Sequence, residues 1–362
     1  MWMSLLFACA MMGGPVIEAV ETDPKLPSLQ EGLDTNLDII AINDEMRAWL
    51  DLHVSEVTSP LNRLQILVDL IFSDESLNLV YDNSRTKTAI ETFETRNGNC
   101  LSFTCLFIGM ARYIGINAYF QEVTNFPTWD RHGEVIVLNR HMNVRVRIDN
   151  KTHTMDFNPD ADRKEHFTRV VTDARAIAQF YNNLGAEWFQ QGNIDLAIAH
   201  FKHSISVDKR VSFTWSNLGV AYITNGMPEE AEQAYLEALK QNRKEYTAIS
   251  NLVRLYEKTN QPDKADEYRS RANRFRQKNP YYHFFLAEEA YEQGDYKEAI
   301  THFKDAIGRK AKVHEFYFGL AKSYSQAGMH NKVSLQLKLA MKYAPNVFDQ
   351  TRYSQKLATM ME

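Results

Sequence analysis

Arg96-Asn97-Gly98-Asn99-Cys100-Leu101-Ser102 is the stretch whose reading decides the first half of this chain. A Gly/Asn turn runs there into an apolar segment, Leu101 to Ile114, with Leu101, Cys105, Ile108 and Arg112 at helical spacing. Asn97-Gly98-Asn99 is a turn and cap signal, so the spacing predicts a helix with Cys100 in its first turn. Unpaired backbone N–H groups and the helix dipole favour a thiolate at that position.

A thiolate nucleophile needs a base, and the base needs an orienting group. His141 opens a period-two segment, His141 to Ile148, and Asp156 lies in Thr152 to Pro159, a second short strand ended by Asn158-Pro159. Asp149-Asn150-Lys151 reads as the hairpin turn between them. Adjacent antiparallel strands would set His141 and Asp156 side by side, with the cysteine helix packed across that end. The result is a Cys100/His141/Asp156 triad in the order helix, strand, strand. Cys105 reads as a buried small hydrophobe instead. Two other histidines rank lower as bases. His132 lies in a loop-like Asp130-Arg131-His132-Gly133, and His153, three residues from Asp156, would face the other side of its strand.

With these residues in place, the stretch from about Thr86 to Asp160 resembles the core of the transglutaminase-like superfamily of papain-type thiol enzymes. The matching features are Gly98-Asn99-Cys100, the Gly115-Ile116 turn, the strand opening at His141, and Asp156 shortly before Pro159. The chain departs from the pattern at Met142-Asn143, where the family often has an aromatic residue, and at Phe157-Asn158, inserted between Asp and Pro. The resemblance implies an α+β papain-like domain over residues 25–165, acting on amide bonds through Cys100, His141 and Asp156.

Upstream, Leu5 to Met12 is a short apolar run, and Ala8-Cys9-Ala10 resembles a signal-peptidase site. Residues 1–24 are therefore expected to be a secretory or lipoprotein signal with its linker. Cys9 is a possible lipid anchor, and the cell envelope or periplasm is expected over the cytoplasm. The run is too short to span a membrane. Asp34-Thr35-Asn36 is expected to cap a helix through about His53. Ser59-Pro60 should start another, with Leu61, Leu64, Leu67, Val68 and Ile71 buried, and Thr86 to Thr95 a third. Ile116 to Val123, Glu134 to Leu138 and Met142 to Ile148 read as strands. Thr124 to Gly133 reads as a loop whose Trp129 borders the cleft.

From Asp173 a 34-residue period takes over. Leu184, Leu218, Leu252, Leu286 and Leu320 are in register, as are Ala197, Ala231, Ala265, Ala299 and Val333. Gly192, Gly226, Gly294 and Gly328 mark the inter-helix turn, with Asn260 in the third repeat. This resembles the tetratricopeptide (TPR) repeat. Five copies fill 173–347 (178–211, 212–245, 246–279, 280–313 and 314–347), and 348–362 forms a capping helix. By the repeat's pattern, a concave groove should include Asn182, Phe189, Phe213, Ser216, Arg254, Tyr281, Phe284, Glu288, Phe318 and Lys322. Such a surface suits a protein or peptide partner.

The formal charge of -5 and the lack of a long basic run exclude a nucleic-acid binder. Three cysteines make no disulfide framework. No His/Cys/Asp cluster has ligand spacing and no glycine-rich phosphate loop occurs, so no metal or cofactor is expected. The expectation is a cysteine-nucleophile peptidase, deamidase or acyl transferase, with repeats that recruit a polypeptide. The alternative is a TPR adaptor carrying an inactive thiol domain.

Overall fold

The computed structural model describes residues 34–73, 76–82, 84–132, 135–157, 168–344 and 347–359, without the side chains of 124–140, 347, 348 and 359. The expected leader, with Cys9, lies outside the described residues. The chain divides into two compact units, residues 1–161 with 165–255, and residues 162–164 with 256–362.

In the first unit, α1 (Asp44–Val54) begins ten residues later than Asp34 suggested. The Asn43 side chain caps it by accepting from Met46 N–H. The run Ile39-Ile40-Ala41-Ile42 stays out of helix. Its β-branched side chains are crowded in a helix, and here Ile39 is buried while its carbonyl accepts from Ala89 N–H at 2.9 Å. Ser59 caps α2 (Pro60–Phe72), which buries Leu64, Leu67 and Ile71 but leaves Leu61 half exposed, against expectation. A Thr88/Glu91 capping box starts α3 (Ala89–Thr95), and Arg96 ends it with φ +57°.

The next helix, α4 (Cys100–Tyr113), is the centre of the unit and is buried on every side from Cys100 to Ala111. A helix apolar all round belongs inside a core. Short strands β1 (Val80–Tyr81) and β2 (Asn97–Gly98) pair in parallel at its start. Beside it lies an antiparallel sheet in the order β5-β4-β3-β6, formed by β3 (Asn117–His132), β4 (Val135–Ile148), β5 (Lys151–Met155) and β6 (Thr168–Val170).

The expected loop from Thr124 to Gly133 is mostly strand. β3 and β4 form one long hairpin, with Val123 opposite His141 and Thr128 opposite Asn139. Four residues of β3 therefore oppose one of β4. Pro127 falls in this excess, where a residue with no N–H costs no ladder bond. The β4–β5 turn is the two-residue Asp149-Asn150, with φ +46° and +59°, while Lys151 pairs with Ile148.

Five helices follow in or into this unit: α5 (Asp173–Gln190), α6 (Ile194–Val207), α7 (Ser212–Thr224), α8 (Pro228–Gln241) and α9 (Tyr246–Lys258), within which the division falls. Polar links tie α5 to the sheet domain. Arg112 forks onto Asp173 at 2.5 and 2.9 Å, Arg175 donates to Glu122 at 2.5 Å, and Tyr181 OH donates to the Asp34 carbonyl at 2.7 Å. The second unit continues with α10 (Pro262–Lys278), α11 (Pro280–Glu292), α12 (Tyr296–Arg309), α13 (His314–Gln326), a 3-10 turn, α14 (Val333–Tyr343) and α15 (Val347–Thr359). Gly192, Gly226, Gly294 and Gly328 all have positive φ at the inter-helix turn, and Asn260 adopts the same conformation at +54°.

Gly109 fixes how closely α4 meets the N-terminal segment, because a Cβ there would lie 2.3 Å from the Ile40 carbonyl oxygen. Gly109→Ala should lower stability by about 1–3 kcal/mol in urea denaturation. Gly308→Ala, where nothing lies within 4 Å, should be neutral or stabilising by up to about 1 kcal/mol.

Candidate active site

The site begins with the cap of α4. Asn99 Oδ1 accepts from Leu101 N–H at 3.1 Å and from Ser102 N–H at 3.0 Å. Cys100 is thus the first helical residue, and it is 7% exposed. The β1–β2 pairing brings Tyr81 beside it, so that the phenol oxygen meets both the Cys100 N–H and its thiol. Burial, reinforced by charge on Cys100, holds the Tyr81 phenol in its neutral form far above the usual range.

The imidazole comes from β4 beside the bulge. His141 Nε2 is 2.6 Å from Asp156 Oδ1, which leaves Nδ1 for the hydrogen bond with Cys100. Asp156 lies just past the end of β5. Continuing the register of Val144 with Met155 puts Asn143 opposite it, so His141 reaches it on the diagonal rather than side by side. Asn143 Nδ2 donates to Asp156 Oδ2 at 2.9 Å, and Gln121 Nε2 donates to Asn143 Oδ1 at 3.0 Å. The carboxylate is held on both oxygens. Phe157 anchors the following segment by packing against Phe72, Phe103 and Phe107.

Burial and hydrogen bonding oppose each other at this pair. Burial pushes the Cys100 thiol up, but the His141 bond and charge and the Met142 N–H outweigh it, and the net shift is down. Burial pushes the His141 imidazolium down, but Asp156 and Cys100 outweigh it and raise it to about 10. Both shifts run toward a thiolate–imidazolium pair, the thiol held down by His141 and the imidazolium held up by Asp156 and Cys100. Cys105, fully buried, is pushed the other way by burial and then by charge on Cys100.

The remaining candidates separate clearly. Trp129 pairs with Leu138 in the hairpin, and its side chain lies outside the described residues. His132 pairs with Val135, six residues and roughly 20 Å of strand from His141. His153 pairs with Val146. Among the groove residues expected from the repeat, Asn182, Phe213 and Ser216 are core rather than surface. Asn182 accepts from Asn217 at 2.8 Å, and Phe213 packs on Ala178 and Val211. Phe189 is partly buried and Arg254 exposed, while Phe284 packs on Phe303 and Phe316 and Phe318 on Tyr353.

Sequence reasoning missed four residues. Asn143 carried a signal, since it lies two residues from His141 on the same strand face. Gln121, an amide in an apolar strand, carried a weaker one. Tyr81 sits in a two-residue strand with no pattern to read. The fourth is Glu187 of α5, buried at 7% exposure, whose Oε1 accepts from Thr86 N–H at 2.7 Å. Thr86 Oγ1 in turn accepts from Asn99 Nδ2 at 2.9 Å. A continuous hydrogen-bonded line thus joins α5 to the cap of the cysteine helix.

A helix-borne thiol, a strand-borne imidazole held by a carboxylate, and a train of paired helices define an α+β thiol domain followed by a helical-repeat array. Residues 48–189 match the model of the transglutaminase-like superfamily, and residues 212–245 and 286–329 match tetratricopeptide repeat models. The chain therefore carries a transglutaminase-like domain followed by TPR repeats. No curated protein matches it. Among solved structures, YrrB, described as a TPR protein with an unusual peptide-binding site, is 17% identical, with 49% of this chain and 92% of that one covered and a TM-score of 0.27. A MamA protein is 18% identical (46% and 91% covered, TM-score 0.27). MamA from Desulfovibrio magneticus RS-1 is 14% identical (48% and 96% covered, TM-score 0.27).

Glu187 makes stability depend on pH in a defined direction. Burial raises its carboxyl from 4.5 to about 7, against the Thr86 N–H, which favours the charged form. Below pH 4.5 folded and unfolded chains both hold the proton. Between 4.5 and 7 the unfolded chain loses it first, so stability falls as pH rises, and above 7 the penalty is constant. Glu187→Gln keeps the acceptor and removes the titration. Relative to wild type, its stability in urea denaturation should rise by on the order of 3 kcal/mol between pH 4.5 and 7.5.

Proposed function

We propose that this protein is a thiol enzyme that opens amide bonds of a polypeptide substrate, with Cys100 as nucleophile. The observation that carries this reading is the geometry of the site: Cys100 opens α4, His141 hydrogen-bonds to it, and His141 Nε2 lies 2.6 Å from Asp156 Oδ1. Cys100 Sγ attacks the carbonyl carbon. The oxyanion that forms is met by the Cys100 N–H and the neutral Tyr81 hydroxyl. The C–N bond breaks as His141 passes its proton to the leaving nitrogen, and a thioester remains on Cys100. Water, deprotonated by His141, then releases the carboxylic acid and restores the thiolate. An amine in place of water would give acyl transfer by the same residues. Asp156 holds the ring, and Asn143 with Gln121 holds Asp156. The repeat array supplies the surface that recruits the polypeptide.

Alkylation by iodoacetamide near pH 6, followed by mass spectrometry, tests the activated thiol. An ordinary thiol with a pKa of about 8.5 is ionised to well under about 1% there. Cys100 should label fast, and His141→Ala should slow it by about 100-fold. Tyr81→Phe should lower turnover of a peptide substrate by about 100-fold or more, because it removes an oxyanion donor, while changing Cys100 labelling far less than His141→Ala does, since the base stays in place. Slow labelling of Cys100, unchanged in the His141 variant, would reduce the protein to a repeat adaptor with an inert thiol domain.

A further inference from the structure

The second unit contains a cluster that neither the repeat pattern nor the thiol site uses. His283 on α11 and His302 and Asp305 on α12 bring two imidazole nitrogens and a carboxylate oxygen within 4.8 Å of one another. His302 and Asp305, three apart on a helix, share a face, and His283 approaches from the paired helix. His283 is 7% exposed. The Nδ1 atoms of both histidines are buried and have no hydrogen-bond partner.

The tautomer of His283 is fixed by its other nitrogen. Nε2 lies 3.0 Å from the Gln277 carbonyl, which can only accept, so Nε2 carries the hydrogen. In the neutral ring Nδ1 is then a bare lone pair, and it faces Asp305 Oδ2 at 3.7 Å. A bare, buried lone pair facing a carboxylate oxygen favours a cation between them. A backbone carbonyl on the far nitrogen is also the arrangement that orients a histidine toward a metal. His302 repeats it more loosely, with Nε2 3.7 Å from Glu298 Oε1 and Nδ1 turned inward. Arg309 contacts the other Asp305 oxygen at 3.3 Å, leaving Oδ2 for the cluster.

We infer that His283 Nδ1, His302 Nδ1 and Asp305 Oδ2 form a binding site for a divalent transition metal of the zinc type, pinning α11 to α12 in the fourth repeat. Two imidazoles and one carboxylate are a borderline donor set that suits zinc, with water completing a tetrahedral shell. Bonds of about 2.1 Å put tetrahedral ligand atoms about 3.4 Å apart, close to the Nδ1–Oδ2 separation. His302 and Asp305, 21% and 46% exposed, have room to close the remaining gap.

The test uses the full-length chain carrying Cys100→Ala, so that the thiol site cannot contribute a ligand. The protein is stripped with EDTA and titrated with zinc chloride by calorimetry and with cobalt(II) by visible absorption. One equivalent should bind, cobalt should give the intense d–d bands of a four- or five-coordinate ion, and zinc should raise the thermal midpoint of the second unit. His302→Ala and Asp305→Ala should each lower the affinity at least 10-fold. Asp305 is half exposed, so its variant should stay folded by circular dichroism, and that arm remains readable even if His302→Ala unfolds. Absence of one-equivalent binding, or binding that persists unchanged in both variants, would overturn the site.

Discussion

The Asn99 side chain is the joint on which the rest of the site depends. Its oxygen closes the open N-terminus of α4, and its nitrogen reaches Thr86, which is in turn held by Glu187 of α5. One buried amide therefore sets where the cysteine helix starts and ties that start to the first helix of the array. An amide suits the role because it offers an acceptor to the helix and a donor to Thr86 at once.

The chemistry of Cys100 follows from the same economy of buried polar groups. A thiol enclosed in α4 is pushed toward its neutral form by burial, as Cys105 is. Cys100 escapes that outcome because the fold surrounds it with His141, the Met142 N–H and the helix start. His141 in turn tolerates burial as a cation because Asp156 and Cys100 together outweigh it. The line continues through Asn143 to Gln121, deep in β3. The long hairpin makes this possible. Its bulge absorbs Pro127 beside His141 while the ladder stays in register below it, so the site rests on sheet rather than on a free loop.

Much of this was legible in the sequence because its signals are local. The cap before Cys100, the period-two strand at His141 and the 34-residue repeat each depend on near neighbours. The misses depend on partners far along the chain. Asp34 looked like a cap, but Ile39 is held by Ala89, fifty residues on. Thr124 to Gly133 looked like a loop because Pro127 breaks a strand pattern, and only the partner strand shows the bulge. Phe213 and Asn182 fit the groove positions of a generic repeat, yet the packing of α5, α6 and α7 buries them. His283 and His302 stand nineteen residues apart on two helices, a spacing that no short motif records.

The helix α5 shows why the repeats and the thiol domain are not simply strung together. It pairs with α6 as a repeat helix, with Ser204 Oγ donating to the Ala178 carbonyl at 2.5 Å. Asp173, Arg175, Tyr181 and Glu187 on the same helix also bond to the thiol domain. The superfamily match runs through residue 189, which takes in α5 although α5 also packs on α6, so the same residues serve both. A buried carboxylate such as Glu187 is costly and would be replaced by an apolar side chain if packing were its only task. Its value lies in direction. Glu187 fixes the rotation of α5 against Thr86 and hence against Asn99, so the first repeat helix and the start of the cysteine helix cannot shift independently.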